Sequence, residues 1–133
     1  IGPNTSAWRP YPDALDVLAS LQHRGLRLGL LTNGSEEQQL GKLAATGLGP
    51  FFDAICVSES IGVHKPASAA FHILARSLQV EVNRCLFIGN NPEQDVAGAI
   101  SAGMRAALVR PNQGGSLGLR RTIEGALVND GRS

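Results

Sequence analysis

Four short apolar runs, residues 26–31, 54–58, 85–89 and 105–109, alternate with stretches whose apolar positions recur every three or four residues. This alternation is what most constrains the fold. A strand buried on both faces reads as a continuous apolar run, whereas a helix laid over it shows a one-sided stripe. Leu15, Val17, Leu18 and Leu21 form one such stripe, closed by Gly25. A capping-box pattern, Ser35 with Gln38, opens a second through Leu40, Leu43 and Ala44 to Gly47. Phe71, Leu74 and Leu78 share a face of a helix expected over 66–78, and a further helix over 95–102 ends at Gly103. Strands separated by helices of about ten residues predict an α/β fold, with a parallel sheet covered on both faces.

Around that core, residues 1–12 carry three prolines and no alternation and read as a lead-in. Trp8 and Tyr11 lie within it. Residues 13–111 form the α/β core, and 112–133, Gly-rich and without periodicity, read as a mobile tail with one short helical turn near 123–128. The chain opens on Ile1 rather than Met, which fits a processed or partial polypeptide.

A composition of 43% hydrophobic and 17% charged residues suits a globular domain. Net charge is +1 with scattered basic residues, so nothing favours nucleic acid or an anionic membrane surface, and no apolar run is long enough to span a bilayer. Cys56 and Cys85 fall inside apolar runs without Cys-x-x-Cys spacing, as inert core thiols in a reducing compartment would; a cytoplasmic protein is expected. His23, His64 and His72 show no metal-ligand spacing and read as surface residues.

Three polar segments sit where strands should end: Thr32-Asn33-Gly34-Ser35, His64-Lys65-Pro66, and Gly89-Asn90-Asn91-Pro92-Glu93-Gln94-Asp95. Open α/β sheets bind ligands at the carboxyl ends of their strands, so Thr32, Asn33, Lys65, Asn90 and Asp95 can converge on one rim. Thr32 offers a hydroxyl, Asn33 and Gly34 offer backbone N–H groups, and the following helix turns its positive end to the same spot. Lys65, one of two lysines beside ten arginines, stands at a helix start where the macrodipole disfavours a cation. Each segment also has a plainer meaning. The first is an ordinary turn with an N-cap, Lys65 a solvated loop lysine, and Asp95 an acid favoured at a helix N-terminus.

Taken in order, the three segments resemble the second, third and fourth motifs of the haloacid dehalogenase-like (HAD) hydrolases. The resemblance extends to the text between them, such as Gly47-Leu48-Gly49-Pro50-Phe51-Phe52-Asp53 and Asp95-Val96-Ala97-Gly98-Ala99. It implies a Rossmann-like HAD core, of the branch whose cap is inserted between the first and second motifs, with the cap missing from these residues and the lead-in 1–12 as the return from it. It also implies a phosphoryl site held by Thr32, Asn33, Gly34 and Lys65, with Lys65 and Asp95 catalytic, Asn90 and Asp95 at a Mg2+ ion, and Asp95 orienting metal-bound water or Lys65. Asn90 stands where the family has an aspartate, so metal affinity should be weakened, because Mg2+ prefers carboxylate oxygen.

The first motif is absent: no Asp-x-Asp-x-Thr occurs, so the nucleophilic aspartate of the family is missing from these residues. In the family the first strand lies at the centre of the sheet. Without it, two half-sheets with unpaired interior edges are expected, to be completed by an N-terminal segment or a partner chain. The leading expectation is the C-terminal core of a magnesium-dependent phosphatase acting on a small phosphorylated metabolite through an aspartyl-phosphate, inactive as this chain alone. A non-catalytic HAD-like binding domain and a 2-haloacid dehalogenase are the alternatives.

Overall fold

The structure is a computed structural model that describes residues 14–109 and 118–131. The lead-in expected over 1–12, including Trp8 and Tyr11, lies outside them. The elements run α1 (Ala14–His23), β1 (Gly29–Thr32), α2 (Glu36–Thr46), β2 (Ala54–Val57), α3 (Ser58–Ile61), α4 (Ser68–Leu78), β3 (Leu86–Gly89), α5 (Gly98–Ala102), β4 (Arg105–Leu108) and α6 (Gly118–Gly131). A π-helical turn, Pro92–Ala97, leads into α5, and single 3-10 turns occupy Gly49–Phe51 and Val82–Arg84.

The four strands form two separate two-stranded parallel sheets. β1 pairs with β2 from Gly29↔Ala54 to Thr32↔Val57, and β3 pairs with β4 from Leu86↔Arg105 to Gly89↔Leu108. Among the described residues no strand has a partner on its second edge. The two ribbons nonetheless share their helical cover. Leu31 of β1 and Phe87 of β3 enter one core cluster with Phe71, Leu74 and Leu78 of α4 and Ala99 and Ala102 of α5. On the opposite face, Leu28 and Ile88 pack with Val17 and Leu21 of α1 and Ile123 of α6. Alternate strand residues thus face opposite helix layers, the two-residue period that burial on both sides requires. Phe71 is fully buried and meets Phe87 edge-on, with ring centroids 5.0 Å apart. Against Ala, burying a side chain of this size is worth about 3–5 kcal/mol. Every residue of β3 is only half-buried despite its apolar text.

Several boundaries differ from the sequence expectation, each for a local reason. Gly25 turns at φ 82, Leu26 hydrogen-bonds back to Leu21, and Asp53 grips the backbone of Leu28, so the first strand begins at Gly29 and Leu26 stays 43% exposed. Gly29 lacks a side chain because α4 crosses closely there: a Cβ would lie 2.8 Å from Leu78 Cδ1. In α1 the buried stripe is Ala14, Val17 and Leu21 while Leu15 is exposed, and in α2 it is Gln39 and Leu43 in place of Leu40 and Ala44. Ser58, expected in a strand, opens α3. The region read as a tail holds a 14-residue helix, more than the single turn expected, with Ile123 in the core and Glu124 3.2 Å from Arg24.

Candidate functional site

Thr32 ends β1 with its side chain buried, and Asn33 and Gly34 turn the chain into α2, which Ser35 caps by accepting from the Gln38 N–H. The short helix α3 holds this turn from outside. Ser58 Oγ accepts from the Gly34 N–H at 2.8 Å, the Glu59 N–H reaches the Gly34 carbonyl, and Glu59 Oε1 accepts from the Glu36 N–H. The Gly34 N–H expected to face a phosphate is therefore engaged with Ser58.

The second segment is fastened to the first. Asn33 Oδ1 accepts from the Lys65 N–H at 2.9 Å, and Asn33 Nδ2 donates to the Lys65 carbonyl at 3.3 Å, a two-point clamp from side chain to backbone. The Lys65–Pro66 peptide within it is cis. Lys65 then buries its side chain and extends it to the third segment, where Nζ donates to Asp95 Oδ1 at 2.7 Å. The ammonium also lies 5.9 Å from the centroid of the Phe87 ring. Neither partner of the ion pair exposes more than 5% of its side chain.

Asp95 comes from the π-helical turn after β3. Asn91 caps that turn by accepting from the Glu93 and Gln94 N–H groups, and its own N–H donates to Asp95 Oδ2 at 3.1 Å. Both carboxylate oxygens thus have partners. Asp95 folds over Gly89 so closely that its Cβ, Cγ and Oδ2 occupy the place a Gly89 side chain would need. The structure therefore brings Thr32, Asn33 and Gly34 together, joins Asn33 to Lys65 and Lys65 to Asp95, and leaves Asn90 half-buried one residue past β3. His64, beside Lys65, is exposed, as are His23 and His72.

Asn90 and Asp95 do not by themselves fit a magnesium site. Mg2+ favours several hard oxygen ligands, chiefly carboxylates and water in near-octahedral array. Here Asn90 brings no charge and Asp95 already answers Lys65 and the Asn91 N–H. Among the described residues no three His, Cys, Asp or Glu side chains form a group able to hold a metal ion.

One residue at this rim escaped the sequence reading. Gln39 of α2 is 6% exposed, and its Oε1 accepts from Thr32 Oγ1 at 3.1 Å. A glutamine in a helix beginning Glu-Glu-Gln-Gln reads as solvated. The usable signal was its spacing, four residues before Leu43 on the inward face. Away from the rim, both cysteines are free thiols. Burial raises Cys56, with a hydrogen bond to Ser77 opposing, and raises Cys85 against the pull of Arg105.

The haloacid dehalogenase-like hydrolase family matches residues 3–103. The chain belongs to the haloacid dehalogenase-like hydrolases. This HAD chain is 36% identical over 102 residues to a glyceraldehyde 3-phosphate phosphatase of Methanopyrus kandleri, covering 77% of the chain and 44% of that protein. It is 38% identical over 99 residues to a phosphoserine phosphatase of Thermus thermophilus, covering 74% of the chain and 40% of that protein. Among solved structures, a HAD phosphatase from Thermococcus onnurineus superposes with a TM-score of 0.74 at 34% identity, over 79% of this chain and 48% of that one. The HAD chain thus spans less than half the length of these relatives. No described helix is long and apolar enough to cross a membrane.

Proposed function

We propose that these residues are the C-terminal core of a phosphatase acting on a small phosphorylated metabolite. The observation that carries this reading is the buried Lys65–Asp95 pair at the same rim as Thr32. A lysine ammonium has three donors, so with one on Asp95 the others can meet phosphoryl oxygens. Asp95 fixes the position of Nζ, and the Asn33 clamp fixes the backbone from which it reaches. Charge placed in advance, in a site with little water, is what phosphoryl transfer asks of a protein. The names of the phosphatase relatives support the reaction class and a small-molecule substrate.

The nucleophile is proposed to come from outside these residues. An N-terminal segment of the same polypeptide, or a partner chain, would enter as a parallel strand between β1 and β3 and present an aspartate beside Lys65. The two open ribbons under shared helices support this, as does the coverage of under half of each relative. The chain alone would then bind but not turn over. Dependence on Mg2+ would likewise rest on carboxylates delivered by that segment. The free thiols accord with a cytoplasmic setting.

A second reading, a non-catalytic domain that binds a phosphorylated ligand, is favoured by Asn90 and by the full engagement of Asp95. One assay separates the two. The chain extended by the upstream segment is tested on p-nitrophenyl phosphate with and without magnesium, as found and as Asn90→Asp. Hydrolysis by the unaltered form supports the phosphatase. Hydrolysis by Asn90→Asp only supports a binding domain with a decayed metal site, and failure of both overturns the phosphatase reading.

A further inference from the structure

We infer that Gln39 is a positioning residue that sets which way the Thr32 hydroxyl points its proton, an inference that rests on the phosphate-site reading above. Gln39 is a polar side chain 6% exposed within α2, on the same inward face as Leu43, where an apolar residue would ordinarily stand. Its amide reaches back over the turn it follows. Oε1 lies 3.1 Å from Thr32 Oγ1, and Nε2 lies 2.7 Å from the place a Cβ would take at Gly34. Gly34, at φ 134 and without a side chain, leaves room for this amide. The glutamine thus packs on both ends of the loop that would receive the phosphate.

The chemistry of the contact gives it a direction. A hydroxyl has one proton and two lone pairs. Thr32 Oγ1 has two acceptors within reach, Gln39 Oε1 at 3.1 Å and the Asn33 carbonyl at 3.4 Å, and while it donates to either only its lone pairs are left to face the rim, where they repel an anion. A half-turn about the last Gln39 torsion, which is broad and roughly two-fold in glutamine, exchanges Oε1 for Nε2 at almost equal volume. Nε2 then donates to Thr32 Oγ1, and the Thr32 proton is released to donate to a phosphoryl oxygen. Gln39 acts through Thr32 and never touches the anion itself. Arrival of the anion would thus turn the Thr32 proton from inward to outward.

The test is a double-mutant cycle on the 133-residue chain, reading its affinity for inorganic phosphate by titration. Gln39→Met keeps the length of the side chain without the amide, and Thr32→Val keeps the shape without the hydroxyl. Thr32→Val removes the proton, and Gln39→Met leaves it to the Asn33 carbonyl, 3.4 Å from Thr32 Oγ1, with no amide N–H to turn it outward, so each single change is expected to weaken phosphate about tenfold, the scale of one hydrogen bond to a charged group. The double variant is expected to match Thr32→Val alone, because Gln39 has nothing to orient once the hydroxyl is gone. A passive strut would instead multiply the losses to about a hundredfold, which would overturn the inference, as would an unchanged affinity in Gln39→Met. Should Gln39→Met fail to unfold cooperatively, Gln39→Glu takes its place in the cycle. Its ionised carboxylate can only accept, so binding relative to the unaltered chain should recover below about pH 5, as the carboxyl regains a proton to donate. That recovery is expected only where the Thr32 hydroxyl is present; equal recovery in the Thr32→Val background refutes the role. If the unaltered chain takes up no phosphate, the site reading falls and the positioning role falls with it, a pattern distinct from binding with multiplicative losses.

Discussion

Lys65 Nζ stands 2.7 Å from Asp95 Oδ1, and the two residues arrive from different ribbons, Lys65 after β2 and α3 and Asp95 after β3. The pair therefore ties together two sheets that share no backbone hydrogen bond among the described residues. Removing one partner leaves the other as an uncompensated buried charge. Lys65→Met or Asp95→Asn is expected to cost about 3–5 kcal/mol in urea unfolding, and the paired change Lys65→Met with Asp95→Leu markedly less than the sum. A loss under about 1 kcal/mol for each single change would mean that the pair is solvated in solution.

Two glycines should respond in opposite directions. Gly89→Ala must displace Asp95, whose side chain occupies the space of the new methyl, so a loss of about 1–3 kcal/mol is expected, with weakened phosphate binding. Gly41 lies within α2, where an added Cβ meets nothing within 4 Å, so Gly41→Ala should gain about 0.5–1 kcal/mol from helix propensity. Thermal unfolding of the two variants beside the unaltered chain reads both signs.

The thiols give a pH-dependent signature. Burial raises Cys56 and Cys85 above the ordinary thiol range, so thiolate is scarce in the folded protein at pH 8. Iodoacetamide should label both more slowly in the folded chain than in urea, with the gap narrowing as pH rises through the folded thiol values. Stability follows the same sign. The share contributed by these protonated thiols is intact below the unfolded thiol pKa and is lost as pH climbs through the raised folded values. Equal labelling in both states at pH 8 would contradict this.

Much of this architecture was legible because its signals are local. Leu30 and Leu31 before Thr32, and Phe87 and Ile88 before Gly89, mark strand ends by an abrupt change from apolar to polar residues, and that change places the rim. The absent first motif also predicted two ribbons in place of one sheet. What was not legible depends on contacts between distant residues. Leu26 reads as strand until Asp53 is seen to fix Leu28, and α6 shows no strong stripe although Ile123 enters the core. Gln39 looks solvated until the turn at Gly34 folds back over it. The resemblance already offered Lys65 as a partner for Asp95, but the spacing of Asn90 and Asp95 could not reveal that the Asn91 N–H takes the second Asp95 oxygen.

On the proposed function, this chain carries the phosphate-cradling half of a HAD phosphatase, with Lys65 as its fixed positive charge. The decisive measurement is the turnover of p-nitrophenyl phosphate in the protein extended by its upstream segment, beside Lys65→Met in that same protein. Hydrolysis is expected from the extended protein and none from the 133-residue chain alone, with a loss on the order of a thousandfold in Lys65→Met. Hydrolysis that survives Lys65→Met undiminished, or turnover by the chain without its upstream segment, would contradict it.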